Sequence, residues 1–170
     1  MSPLLHPDDR LLAECRIDHF RGSGPGGQKR NKTANGIRLT HIPTRSSATA
    51  TESRSLGENK LFALRRLRLK LACELRQPID LLKFDPPDWF LELRHEQHLA
   101  VSHRHTHYAA VGGLMLDLLA ALNGNPAAVA INLGINTTSV IRFLEDEPAF
   151  WTAANRIRAS AGLEPLSHRR

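Results

Sequence analysis

Residues 21–36 read Arg-Gly-Ser-Gly-Pro-Gly-Gly-Gln-Lys-Arg-Asn-Lys-Thr-Ala-Asn-Gly. Five glycines (Gly22, Gly24, Gly26, Gly27 and Gly36) and Pro25 surround Gln28, and no large apolar side chain falls in the stretch. Such a segment cannot build a core. It is also poor material for a helix or strand interior, because glycine gives up more backbone entropy on folding than any other residue. What it permits is close approach of backbone to another molecule. Lys29, Arg30 and Lys32 follow at once, so that molecule is expected to be anionic.

The sequence around this stretch predicts regular structure. Cys15–Phe20 alternates and predicts a strand. Gly36–Ile42, with Ile37, Leu39 and His41 set against Arg38, Thr40 and Ile42, predicts a second strand that Pro43 ends. Ser46–Thr51 predicts a third. Upstream, Leu4–Ala13 predicts a short helix after Pro7, with Asp8 and Asp9 in its first turn. Downstream, a long helix is expected over Glu58–Leu75, with Leu61, Leu64, Leu67 or Arg68, Leu71 and Leu75 at helical spacing. Lys60, Arg65, Arg66, Arg68 and Lys70 occupy much of its remainder. Gln77–Asp88, with Pro78, Pro86 and Pro87, reads as connecting sequence. Four helices are then predicted at Tyr108–Leu122, Pro126–Leu133, Thr137–Glu145 and Pro148–Ser160, punctuated by Asn123-Gly124-Asn125, an Asn136 or Thr137 cap, and Gly162. The fold class is therefore α+β. A small domain over 1–84 combines a mixed or antiparallel sheet of three or four strands with the long basic helix. A linker over 85–104 and an all-helical segment over 105–170 follow.

Charge separates the two halves. Residues 1–84 carry 16 Lys/Arg against 8 Asp/Glu, a balance of +8, whereas residues 85–170 carry 7 against 9, a balance of −2. A basic first half points to nucleic acid, and the second half is expected to have another task. Cys15 and Cys73 are too few for a disulfide framework. No secretory pattern opens the sequence, and the apolar stretch around Val111–Leu122 contains Asp117 and is too short for a bilayer. A cytoplasmic monomer with no membrane partner is expected.

Two nucleotide-binding motifs fail on the glycine-rich stretch. Gly22-x-Gly24-x-x-Gly27 has dinucleotide-fingerprint spacing, but Asn31–Gly36 is turn-forming where that motif opens a helix. Gly22 and Gly27 have P-loop spacing, but Gln28 stands where the lysine belongs. The longer string Ser23-Gly24-Pro25-Gly26-Gly27-Gln28-x-x-Asn31-Lys32-Thr33, followed by Ile37-Arg38-Leu39-Thr40-His41-Ile42-Pro43-Thr44, resembles the peptidyl-tRNA hydrolase domain of the class I peptide-chain release factors and their short ribosome-rescue relatives. The likeness covers residues 14–76 and takes in Glu52-Ser53-Arg54-Ser55 and Asn59-Lys60. Arg30, where the family has a small apolar residue, and Leu56-Gly57-Glu58 depart from the pattern.

The resemblance implies ribosome-dependent hydrolysis of the ester between a peptide and the 3′ end of tRNA. Gly26, Gly27 and Gln28 are then the catalytic residues. The backbone N–H of Gln28 would stabilise developing negative charge, and its side chain would position water, while Gly26 and Gly27 permit the close approach. Arg21, Ser23, Lys29, Arg30, Asn31, Lys32, Thr33, Arg54, Lys60, Arg65 and Arg66, with Arg68 beside them, would contact RNA. The implied partners are large-subunit rRNA, peptidyl-tRNA and a methyltransferase acting on Gln28, with no cofactor or metal. His19 and His41 are candidate general bases, but in strands they read better as packing or RNA-contacting residues. The alternative is a non-catalytic ribosome- or RNA-binding protein that keeps the loop as an anchor.

The second half offers no stop-codon-reading loop, so codon-independent rescue is expected. Short rescue hydrolases of the family have a basic tail where this sequence ends Ser-His-Arg-Arg. Ala127–Leu144 instead resembles a helix-turn-helix, with Ala130 and Gly134 at the crossing and turn, and Val140 and Phe143 on the second helix. That helix offers one cation, Arg142, and runs into Glu145-Asp146-Glu147, so a structural or docking role with a protein or RNA partner is expected. His95, His98, His103, His105 and His107 form a histidine-rich run, whose alternation at 103–107 would suit zinc. No cysteine or obvious carboxylate set completes such a site, and surface or RNA-contacting histidines are the better reading.

Overall fold

The computed structural model describes residues 2–21 and 35–167. The chain divides into two compact units, Met1–Leu71 and Ala72–Arg170.

The first unit begins with a 3₁₀ turn at Pro3–Leu5, which Ser2 caps, and continues into a short helix, α1 (Asp8–Ala13), with Asp8 and Asp9 in its first turn. α1 is the short helix expected after Pro7, which lacks an N–H and stands just before its first turn. Three strands follow: β1 (Cys15–Phe20), β2 (Gly36–His41) and β3 (Ser47–Ala50). They form an antiparallel sheet in sequence order, with Ile17 opposite Leu39 and Leu39 opposite Ala48. Strand alternation sorts β2 by face: Ile37, Leu39 and His41 are buried, and Arg38 is exposed.

α2 (Leu56–Glu74) runs through the division between the units. Its N-terminus is a capping arrangement. Ser55 Oγ accepts from the Glu58 N–H at 3.3 Å, the Glu58 carboxylate bonds Ser53 Oγ, and Ser53 Oγ accepts from the Ser55 N–H at 2.9 Å. The helix therefore starts two residues before the predicted Glu58. Its buried stripe is Asn59, Ala63, Leu64, Leu67, Arg68 and Leu71, the last five turning with helical period towards the core that Leu11, Ile37, Leu39 and Ala50 complete. Each fully buried leucine contributes about 2 kcal/mol relative to exposure. Leu61 is not part of this stripe. It is 49 % exposed, because it lies two residues before Ala63 and so on the opposite flank.

The second unit is mainly helical. It holds a one-turn helix, α3 (Asp88–Leu91), a two-residue hairpin, β4 (Arg94–His95) with β5 (His98–Leu99), and four helices: α4 (Tyr108–Ala121), α5 (Pro126–Leu133), α6 (Thr137–Glu145) and α7 (Pro148–Ser160). α4 is buried over most of its length, from Tyr108 to Leu119. The apolar centre stacks Tyr108, Phe143 and Phe150 with ring centroids 5.0–5.7 Å apart. Gly112 is required there, because a Cβ at that position would run into the Phe150 ring. Asp117, on the same helix, is 8 % exposed and forms an ion pair with Arg76 at 2.9 Å. It also accepts from the Gln77 N–H at 3.1 Å. Burial, opposed by that hydrogen bond and by Arg76, pushes the Asp117 carboxyl up to about 6.

α5 and α6 form the helix-turn-helix. Asn125 caps α5 by accepting from the N–H groups of Ala127 and Ala128, and Pro126 occupies the first position. The helix ends on Gly134 at φ 65°, and the Ile135 N–H returns to the Ala130 carbonyl at 3.0 Å. Asn136 then caps α6 through the Ser139 N–H at 2.7 Å. The two helix axes turn by 111°, within the range of the motif. The β4–β5 hairpin braces the turn: the Asn136 N–H donates to the Gln97 carbonyl at 2.8 Å, and Arg94 Nη1 donates to the Leu133 carbonyl at 3.4 Å. Among the described residues, no single helix is long and apolar enough to cross a membrane.

Candidate functional site

Gly26, Gly27 and Gln28 lie outside the described residues, as do Ser23, Lys29, Arg30, Asn31, Lys32 and Thr33. What is described is the platform that carries them. β1 and β2 are paired to their ends, where Phe20 faces Gly36 as the last rung. The segment 21–35 therefore connects two adjacent, hydrogen-bonded strands. Gly36 has no room for a side chain. A Cβ there would sit 2.8 Å from the Phe20 carbonyl oxygen and 3.0 Å from its ring. Arg38, across the strand, lies over the Phe20 ring at 5.5 Å.

The next residue out, Asn35, is held from the first turn of α2. Asn59 is completely buried and makes three hydrogen bonds. Its Nδ2 donates to the carbonyls of Asn35 at 2.7 Å and Ser53 at 2.8 Å, and its Oδ1 accepts from the Ser53 N–H at 2.9 Å. Two carbonyl partners and one N–H partner leave a single orientation for the amide.

The predicted RNA-contacting cations divide into distinct environments. Arg21 is exposed just beyond β1, Arg54 is exposed in the turn beside Ser53, and Arg65 is exposed on α2. Lys60 is half-buried. Arg66 is exposed but engaged: it donates to the Thr49 carbonyl at 2.7 Å and pairs with Glu52, whose carboxyl it holds below the usual range. Arg68, grouped with these from its position in a basic run, is a buried residue. It donates to the carbonyls of Leu4 at 3.0 Å and His6 at 2.6 Å and to Asp8 at 2.8 Å. Its guanidinium fastens the N-terminal segment to α2, because at 6 % exposure it faces inward with Leu64, Leu67 and Leu71.

The two candidate histidines also separate. His19 is exposed on β1. His41 is 2 % exposed and lies between Thr44 Oγ1 at 2.8 Å and Glu14 Oε2 at 3.2 Å. Since Thr44 Oγ1 also accepts from the Ser46 N–H at 3.3 Å, its own hydroxyl hydrogen is available to His41 Nδ1, and the imidazole Nε2–H can face Glu14. The other Glu14 oxygen lies 3.2 Å from His6 Nδ1. The His41 hydrogen bond, followed by the neighbouring charges and opposed by burial, holds the Glu14 carboxyl below its usual range. His41 is thus a packing residue of the sheet, enclosed by its partners.

In the second unit, the histidine run does not alternate on a strand. Residues 103–107 are turns leading into α4. His103 stacks on Tyr108 at 4.6 Å, and His107 lies 5.4 Å from Trp89. No group of three or more metal-ligating side chains occurs among the described residues. On α6, Thr137, Thr138 and Arg142 are exposed, and Glu147 caps α7 through the Ala149 N–H at 3.3 Å.

The hairpin, the glycine-rich connection at its end and the helix that holds its stem all lie within one continuous segment. Residues 11–80 match the RF-1 domain. This is the domain of the class I release factors, so the resemblance stated from the sequence holds over this segment. Among curated proteins, the peptide chain release factor 2 of Mycobacterium sp. (strain KMS) is 43 % identical over 76 residues, covering 42 % of this chain and 20 % of that protein. The peptide chain release factor 2 of Saccharopolyspora erythraea is 38 % identical over 85 residues, covering 48 % of this chain and 23 % of that protein. This chain spans about a fifth of the length of the curated relatives it matches. The RF-1 segment contains the whole first unit from Leu11 onward and ends at residue 80, beyond the end of α2. α3 to α7 lie beyond it.

Asn59 and Gly36 are the stem residues that pattern reading did not single out as functional. The available signal for Asn59 was an amide at i, i+4, i+8 and i+12 spacing with Ala63, Leu67 and Leu71, a polar residue on the apolar stripe of a helix. For Gly36 it was a glycine opening a strand opposite an aromatic residue.

Proposed function

We propose that this chain is a ribosome-dependent peptidyl-tRNA hydrolase that acts without reading a stop codon, in the rescue of stalled ribosomes. The observation that carries the reading is the Gly26-Gly27-Gln28 string in the connection between β1 and β2, inside the RF-1 segment. Backbone N–H groups aimed at the developing oxyanion or the leaving ribose oxygen need no side chain of tuned pKa. One such donor is worth about 3 kcal/mol in a dry site. In this reading the Gln28 N–H is that donor, the Gln28 side chain positions water, and Gly26 and Gly27 allow the approach to RNA. The ribosome completes the site, so the protein alone is inert.

Arg21, Lys29, Arg30, Lys32, Arg54, Lys60 and Arg65, with Ser23, Asn31, Thr33 and the partly engaged Arg66, would contact rRNA or tRNA. Residues 1–84 act as the release-factor-like portion, 85–104 as the connection and 105–170 as a helical portion that docks on a protein or RNA partner. The protein works in the cytoplasm as a monomer, and a methyltransferase acts on Gln28. Codon independence is supported by the acidic balance of residues 85–170, where α6 presents a single cation.

The test measures peptide release from ribosomes carrying a truncated message, a sense codon or a stop codon in the decoding site. Release on the truncated message, without preference for the stop codon, is expected. Release confined to stop codons refutes codon independence. Binding without release under any message leaves the anchor-only reading in its place.

A further inference from the structure

We propose that Asn59 is a positioning residue for the hydrolysis, holding the point at which the glycine-rich connection rejoins the sheet. The inference rests on the hydrolase reading above. The geometry is that of a clamp. Asn59 donates from one amide nitrogen to the carbonyl of Asn35, the residue just before β2, and to the carbonyl of Ser53. Its oxygen accepts from the N–H of the same Ser53. All three partners are backbone groups, and two of them bracket Ser53, the neighbour of the exposed Arg54. One buried side chain thereby ties the stem of the connection, the first turn of α2 and the 53–55 turn into a single piece.

A helix has no internal need for this residue. Asparagine is a weaker helix former than alanine, and its position faces a core otherwise made of Ala63, Leu64, Leu67 and Leu71. A buried amide is tolerated there because every polar atom is bonded. Its contribution is rigidity at the base of the catalytic connection. The Phe20–Gly36 rung, closed against a Cβ at Gly36, pairs the two strands at the same level. The base of the connection is thus held by two devices, one of them the buried Asn59 side chain. A catalytic backbone donor acts only if its position is fixed in advance, and a displacement of about 1 Å lowers a rate by up to roughly 100-fold.

The test has two readouts. In single-turnover peptide release, Asn59→Ala is expected to lower the rate at saturating protein by about 10- to 100-fold. The concentration for half-maximal release should stay within about twofold of wild type, since affinity comes mainly from charge contacts. Without ribosomes, tryptic cleavage after Lys29, Arg30 and Lys32 should accelerate at least severalfold, while cleavage after Lys83 and Arg104 in the second unit stays unchanged. If Asn59→Ala does not fold, Asn59→Asp serves. It keeps the volume and the acceptor for Ser53 but turns an oxygen toward two carbonyls, and the same two changes are expected. A variant with wild-type saturating rate, one altered only in half-maximal concentration, or one with unchanged tryptic rates overturns the proposal. If wild-type protein releases no peptide, the hydrolase reading fails on its own. The tryptic comparison then still decides whether Asn59 holds the stem.

Discussion

Arg65 and Arg68 stand three residues apart in one basic run, and the structure leaves the first exposed and buries the second. Replacing Arg68 with methionine keeps the apolar stem and removes the guanidinium. Two carbonyls, of Leu4 and His6, then lose their donor in residues that are 7 % and 6 % exposed. Each buried acceptor left without a partner costs about 1–3 kcal/mol. The Asp8 pair adds little, since that carboxylate is 56 % exposed. Arg68→Met is therefore expected to destabilise the first unit by about 2–6 kcal/mol, a fall in Tm of roughly 10 °C or more. Arg65→Met should stay within about 0.5 kcal/mol of wild type.

The same two variants should separate in ribosome binding. Arg65→Met should flatten the log–log salt dependence of affinity by about 0.7–0.9 units, one phosphate contact, while Arg68→Met leaves that slope unchanged below its melting temperature. Circular dichroism melting and salt-titrated binding measure both. An Arg68→Met protein of wild-type stability with a flattened salt dependence refutes the burial argument.

Two further outcomes concern the second unit. Asp117 binds a proton more readily in the folded state than its ordinary 3.8, up to about 6, so its contribution to stability is greatest below pH 4 and is lost as the pH rises through 6. Urea melts across pH 4–7 should show Asp117→Asn, which keeps an acceptor for Gln77, without up to about 3 kcal/mol of that decline; identical pH profiles contradict the assignment. Gly112→Ala should destabilise the unit by about 1–3 kcal/mol in denaturant melts, despite the better helix propensity of alanine, because Phe150 is fully buried and its ring cannot withdraw. A stabilised Gly112→Ala protein contradicts the close approach.

Most element limits were readable wherever local chemistry set them. β1 at Cys15–Phe20 and α5, α6 and α7 fall at the predicted residues, because Pro126, Asn136 and Pro148 open those helices and Gly134 closes one. What was not readable depends on neighbours distant in sequence. The leucine spacing leaves Leu67 or Arg68 open as the stripe position, and the partners that bury Arg68 lie about 60 residues away. The β4–β5 hairpin is two residues per strand, too short for alternation to register. The capping at Ser53, Ser55 and Glu58 is legible as a serine three before a glutamate, and it opens α2 at Leu56 rather than Glu58. The candidate site shows the converse. The chemistry proposed for it rests on Gly26-Gly27-Gln28 within a long family string. Its support through Asn59 was not legible, because a buried amide is defined by the backbone it meets.

In the proposed function this connection, presented on the ribosome, hydrolyses the peptidyl-tRNA ester. Single-turnover peptide release from ribosomes stalled on a truncated message, comparing wild type with Gly27→Ala at equal occupancy, tests it most directly. Wild type should release peptide and Gly27→Ala should lose about 100-fold or more, with ribosome affinity retained. Equal release by the two proteins, or none by wild type at full occupancy, contradicts it.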